Sequence, residues 1–196
     1  MRVLFVTSEC APFSKSGGLA DVAFSLPPAL AKAGDEIAIL TPLYQCVWQR
    51  FQEELSFVMD VDIPHGGENY RCELYKGERD GVPVWFLKYD PFFNRPRLYG
   101  YEDDKLRFAF FSRAVIALLP ELGPMPDILH CNDWETALSV IYLKNDQVTR
   151  PELKPIRSVF TIHNIAYQGQ FGKKELTEFL NRIAKNEYTC AGLYRF

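Results

Sequence analysis

The chain alternates between short continuous apolar runs and longer stretches with helical spacing. "RVLFVTS" (Arg2 to Ser8) is apolar and ends in small polar residues, the pattern of a strand covered on both faces in a parallel sheet. Next, "LADVAFSLPPALAKAG" places Leu19, Val22, Ala23, Leu26 and Leu30 at helical spacing, with Gly34 as a C-terminal stop. Pro27 and Pro28 fall inside that stretch, where a missing N–H and a bulky ring predict a kink or a restart. "EIAILTPLY" then reads as a second buried strand. Strand, glycine-bearing turn, helix, strand is the opening of a doubly wound α/β fold.

A middle region differs in character. "LSFVMDVDIP", "NYRCELYKGERDG" and "VPVWFLKYD" predict three strands separated by Gly-rich or Asp-Gly turns, a β-meander inserted in or added to the α/β frame. Helical period returns in "DKLRFAFFSRAVIALLPEL" (Asp104 to Leu122), with Asp103 or Asp104 as N-cap. "PDILHCND" predicts a strand, "WETALSVIYLKND" a helix, "IRSVFTIHN" a strand and "KKELTEFLNRIAKNEY" a closing helix. The expected fold is Rossmann-like and doubly wound: a mainly parallel sheet with a β-meander insertion. Parallel strands end at a common edge, and the opening loop, "HCNDWET" and "HNIAYQG" all fall at such ends.

Composition narrows the function classes. With 196 residues, 47% hydrophobic and 24% charged, the chain is a globular one with material for a sizeable core. A net charge of -3 with scattered basic residues argues against a nucleic-acid surface. No apolar run approaches the roughly 20 residues that span a bilayer, and Glu9 interrupts the N-terminal run, so no membrane is expected and the cytoplasm is the expected location. The five cysteines contain no CxxC pair, which points to free, mostly buried thiols rather than disulfides or zinc.

The residues at the strand ends each admit two readings. In "FSKSGGLADV" a lysine and two glycines precede a helix, so Lys15 and the amides near Gly17 and Gly18 could hold phosphate oxygens; taken alone, the pattern reads first as a tight turn with a solvated lysine. Neither the Walker A spacing nor GxGxxG is present. Asp133 could cap the following helix, with Trp134 on the sheet, or accept hydrogen bonds from sugar hydroxyls beside a Trp134 wall. His163, followed by Asn164, Tyr167, Gln168 and Gly169, belongs to a polar turn whose donors and acceptors suit carbohydrate, although a lone histidine at a strand end is commonly structural. Tyr99 and Tyr101, in "RLYGYEDDKLRF", could line a sugar site or cover the helix behind them.

Taken in order, "VLFVTSECAPFSKSGGLADV", "RLYGYEDDKLRF", "PDILHCNDWETAL" and "FTIHNIAYQGQF" resemble the N-terminal domain of bacterial glycogen synthases and plant starch synthases over almost the whole chain. The resemblance implies the N-terminal half of a GT-B glycosyltransferase, which carries glucose from ADP-glucose to the non-reducing end of an α-1,4-glucan with retention. It also implies roles for single residues: Lys15, with Gly17 and Gly18, at the nucleotide sugar, His163 and Asn164 at the transferring glucose, and Asp133 and Tyr99 near the sugar sites. No metal or other cofactor is implied, because lysine, arginine and loop amides stabilise the leaving diphosphate.

Two departures from the family pattern stand out. "HCNDWET" has Asn132 where a second histidine is usual and Glu135 where His or Gln is common, a charge expected to alter glucan contacts. Family chains are more than twice as long, so the C-terminal nucleotide-binding domain is expected to be missing and these 196 residues alone to be inactive. The alternative is a non-catalytic glucan-binding or regulatory fragment derived from a synthase.

Overall fold

The structure, a computed structural model, describes residues 1–170; the helix expected in "KKELTEFLNRIAKNEY" and Cys190 lie outside them. Seven strands form one sheet: β1 (Arg2–Val6), β2 (Glu36–Pro42), β3 (Ser56–His65), β4 (Glu68–Arg79), β5 (Val82–Lys88), β6 (Ile128–Asn132) and β7 (Arg157–Thr161). Their spatial order is β3-β4-β5-β2-β1-β6-β7. β5-β2-β1-β6-β7 are mutually parallel, while β3, β4 and β5 are joined antiparallel. The meander therefore extends the same sheet, handing its last strand to the parallel core. From β1 the chain winds outward to one side, then returns to place β6 and β7 on the other, so a topological switch point lies between β1 and β6.

The helices are α1 (Gly18–Lys32), α2 (Gln45–Phe51), α3 (Asp90–Phe93), α4 (Asp104–Leu118) and α5 (Trp134–Asp146). The kink or restart expected at the prolines is not a break: α1 continues through Pro27 and Pro28. Each proline removes one intrahelical donor, and burial of both rings offsets that loss. At its far end Gly34 takes φ +102°. Its amide donates to Ala31 O and that of Asp35 to Leu30 O, the paired bonds of a Schellman stop.

Helix α4 is buried on most sides. Phe108, Phe110, Phe111, Val115 and Ile116 are all fully covered, and the helix packs against α5 and β3. Asp103 sits at its N-cap position, but its carboxylate makes no cap bond and pairs bidentately with Arg95 at 2.6 and 2.7 Å. Asp104, the first residue of the helix, does not cap it either: its Oδ2 accepts the amides of Gly100 (2.7 Å) and Tyr101 (3.1 Å) and so ties the preceding loop to the helix start. Helices α2 and α3 were not anticipated, because seven and four residues are too few to display a helical period. Cys10, Cys72 and Cys131 are buried free thiols; burial pushes Cys131 up to about 12, which leaves it unreactive.

Candidate functional site

The C-terminal ends of β1, β6 and β7 converge on a cavity of about 750 Å³. Its first wall is the opening loop. After β1 the chain turns through Thr7, whose hydroxyl donates to Glu9 O at 2.7 Å, and closes on itself through paired bonds between Cys10 and Ser14. This fold-back lays Ser16 and Gly17 over the Glu9 side chain. Glu9 Oε2 accepts the amides of Ser16 and Gly17 (3.1 Å for the latter), and Oε1 accepts the Ser16 hydroxyl at 2.7 Å. Tyr99 Oη lies 2.9 Å from both Glu9 Oε1 and Ser8 Oγ. A helix N-terminus attracts negative charge, and here the chain supplies its own.

That arrangement changes the meaning of the Lys-Ser-Gly-Gly loop. Two of its amides are occupied by an internal carboxylate, a partner the spacing of residues 13–22 gives no hint of. Lys15 does not line the cavity; its ammonium is exposed and paired with Asp21 at 2.6 Å. Gly17 and Gly18 do line it, and a Cβ added at either would meet no atom of the chain within 4 Å.

The second wall comes from β6 and α5. Asn132 is fully buried, and its Nδ2 donates to Val6 O (3.0 Å) and His130 O (3.2 Å). These bonds to carbonyls fix the amide, so Oδ1 is the atom 2.9 Å from His163 Nε2. His163 therefore carries its proton on Nε2 and leaves Nδ1 as an acceptor in the neutral ring. Asn132, read from sequence as an altered histidine, anchors the ring of its neighbour on β7's loop.

Asp133 takes φ +57°, ψ 175°, a region nearly reserved for glycine. Four bonds hold it there: its amide donates to Thr161 O (2.9 Å), its carbonyl accepts the Thr136 amide (3.1 Å) and hydroxyl (3.1 Å), and Oδ1 accepts the His163 amide at 2.7 Å. Asp133 stands at the N-cap position of α5, yet its carboxylate caps nothing on that helix. It ties the β6 turn to the β7 turn instead. Trp134 packs edge-on against Phe108 at 5.3 Å and faces the cavity, and Gly169 (φ +59°) approaches it so closely that a Cβ there would lie 2.4 Å from the indole.

The structure thus brings Gly17, Gly18, Tyr99, Asp133, His163 and Asn164 to one cavity and leaves Lys15 beside it. Asn164 is exposed, with Oδ1 accepting the Ala166 amide at 3.0 Å. His130 bonds Thr161 Oγ1 (2.8 Å) and stacks edge-on against Phe5, outside the lining; burial, then His163, lowers its pKa and keeps the ring neutral. Glu9 is the functional residue missed from sequence. Its only signal in the sequence is a carboxylate placed just past an apolar strand. Among the described residues the lining carries the acids Glu9, Asp104, Asp133 and Glu135 and no lysine or arginine.

The family model described as the starch synthase catalytic domain matches residues 2–194. The glycogen synthase of Desulforamulus reducens is 41% identical over 188 residues, which is 96% of this chain and 39% of that protein. The glycogen synthase of Clostridium novyi is 40% identical over 181 residues, 92% of this chain and 38% of that protein. Among solved structures, the catalytic domain of starch synthase IV from Arabidopsis thaliana, bound to ADP and acarbose, matches with a TM-score of 0.79 and 36% identity, covering 89% of this chain and 36% of that one. The chain spans less than two fifths of the length of these relatives.

Proposed function

Because this chain belongs to the starch synthase catalytic domain family, we propose that it forms the N-terminal half of a glucosyltransferase that moves glucose from ADP-glucose to the non-reducing end of an α-1,4-glucan with retention. The observation that carries this reading is the chemistry of the cavity: acids, a tryptophan, tyrosines and a histidine with a free ring acceptor, with no cation lining it among the described residues. Such a surface suits a neutral polyol, whose hydroxyls both donate and accept, and repels a diphosphate. The glucosyl unit and the glucan end belong inside it. The diphosphate belongs at the mouth, against Gly17 and Gly18 and within the field of Lys15.

Several details support that division. The fold itself does not demand glycine at 17 or 18, since a Cβ would project into open space. A ligand lying against the backbone would demand it. In the proposed mechanism His163 Nδ1 accepts a hydroxyl of the transferring glucose, Asp133 orients that histidine through its backbone amide while its free carboxylate oxygen takes a second hydroxyl, and Tyr99 holds Glu9 in place. Stabilising the leaving diphosphate needs cations, so the reading assigns most of them to a second domain facing this cavity. In the cell the enzyme would act in the cytoplasm, without a metal or other cofactor.

Lys15 separates the fold from the chemistry. Its ion pair with Asp21 is exposed and worth little, so Lys15→Ala should leave the unfolding free energy within about 0.5 kcal/mol. Affinity for ADP-glucose should nevertheless fall about tenfold or more, the worth of one charge-assisted bond to phosphate. Equal affinity in the variant would remove the lysine from the donor site. The reaction itself is tested by ADP release from ADP-glucose and glycogen, with this chain supplied with the C-terminal portion of the Clostridium novyi glycogen synthase. Release above that of either part alone is expected, and binding of glucan without any release would favour a non-catalytic module.

A further inference from the structure

We propose that Glu135 works in its neutral form, donating its carboxyl proton to a sugar hydroxyl in the cavity and so helping to determine which ligand the site accepts. The inference deepens the reading of this cavity as a sugar site and rests on it. Glu135 is the second residue of α5, only 6% exposed, and it lines the cavity. Its Oε2 is buried and has no hydrogen-bond partner among the described residues. Groups of this kind are rare, since an unsatisfied buried polar atom costs about 1–3 kcal/mol. The atom wants a partner, and the open cavity is where one can come from.

The surroundings decide the form of the carboxyl. From the loop after β1 comes Glu9, from the start of α4 Asp104, and from the β6 turn Asp133; Tyr44 and Tyr99 face the same region, and His163 lines the cavity from the loop after β7. Arg107 on α4 is committed to Asp104 and to the carbonyls of Phe92 and Leu98. Burial foremost, and then the charges of Asp133, Glu9 and Asp104, push Glu135 up to about 8, with its own backbone amide opposing. Burial also raises both tyrosines well above their ordinary value, so neither ionises in the same range.

At neutral pH Glu135 therefore offers an O–H and a carbonyl oxygen on adjacent atoms. A hydroxyl of a neutral sugar, which accepts one bond and donates another, matches that pair. An anionic ligand could accept the proton too, but it would meet the carboxylates of Glu9, Asp104 and Asp133 lining the same cavity. Once Glu135 ionises, the donor is lost and a fourth negative charge enters the cavity. Binding should weaken as pH rises through about 8.

The test is the affinity of the 196-residue chain for maltotetraose, measured by ligand-observed NMR from about pH 7.5 to about pH 9, with circular dichroism confirming the fold at each point. The dissociation constant should rise about tenfold over that range in the unmodified chain. In Glu135→Gln, which keeps a donor and an acceptor but cannot ionise, it should stay level and close to the lower-pH value. A rise shared by the Gln variant belongs to another group and overturns the proposal. A level profile in both proteins with binding intact overturns it as well, while leaving the sugar reading standing. No binding by either protein at any pH overturns both.

Discussion

Replacing Arg107 with alanine is expected to lower the unfolding free energy by about 3–5 kcal/mol, the loss typical of breaking one half of a buried ion pair. The side chain is fully buried. Its Nε donates to Phe92 O at 2.7 Å, and Nη1 to Leu98 O at 3.2 Å and Asp104 Oδ1 at 2.5 Å, with Phe93, Tyr101 and Phe108 around the guanidinium. Removing it leaves Asp104 Oδ1 and two carbonyls without this donor. Arg107→Lys should recover only part of the loss, because an ammonium lacks the planar fork that reaches these acceptors together. Against a total stability of about 5–15 kcal/mol the alanine change is severe. Urea unfolding measures it, and a loss under about 1 kcal/mol would show that the cluster holds nothing in place. The consequence reaches the cavity, since the loop from Leu98 carries Tyr99 to Glu9 and Asp104 lines the site.

Asp133 offers a second large effect with an unusual order. Asp133→Ala loses the charge-assisted bond to the His163 amide, about 1.5–3 kcal/mol, and keeps the backbone at φ +57°. Asp133→Gly loses the same bond but relaxes a conformation that costs an L-residue about 1–3 kcal/mol. The glycine variant should therefore be the more stable of the two by about that amount, although glycine ordinarily weakens a folded chain. Both should lose sugar binding, because the carboxylate that holds the His163 amide is gone and only the backbone bond to Thr161 O still joins the two turns. Thermal or urea unfolding of the pair decides the point, and an alanine variant as stable as the glycine one would mean that Asp133 holds no strain.

Much of the architecture could be read along the chain because buried parallel strands leave continuous apolar runs. β1, β2 and β6 announce themselves in that way, and the closing Gly34 of α1 by its turn chemistry. The short α2 and α3 could not be read, and neither could the continuity of α1 across two prolines, because tertiary burial rather than local preference decides both. At the site, the polar residues at strand ends were legible as a group: Asp133, His163 and Tyr99 do share one cavity. Their partners were not. That Asp133 serves the β7 turn rather than its own helix and that Asn132 orients His163 are contacts 30 and 31 residues apart, the bond that fixes Asn132 to Val6 spans 126, and Glu9 fills the amides of the glycine loop only because the loop folds back on itself. No local pattern encodes such pairings.

The central claim is that this cavity holds a glucosyl unit, with the diphosphate outside it. Saturation-transfer NMR on the chain with ADP-glucose tests it most directly, because it reports which ligand protons touch the protein even when binding is weak. The account predicts the strongest transfer to the glucosyl ring protons, competed by maltotetraose and lost in His163→Ala. Transfer confined to the adenine protons, or undiminished by the glucan and by the variant, would contradict it.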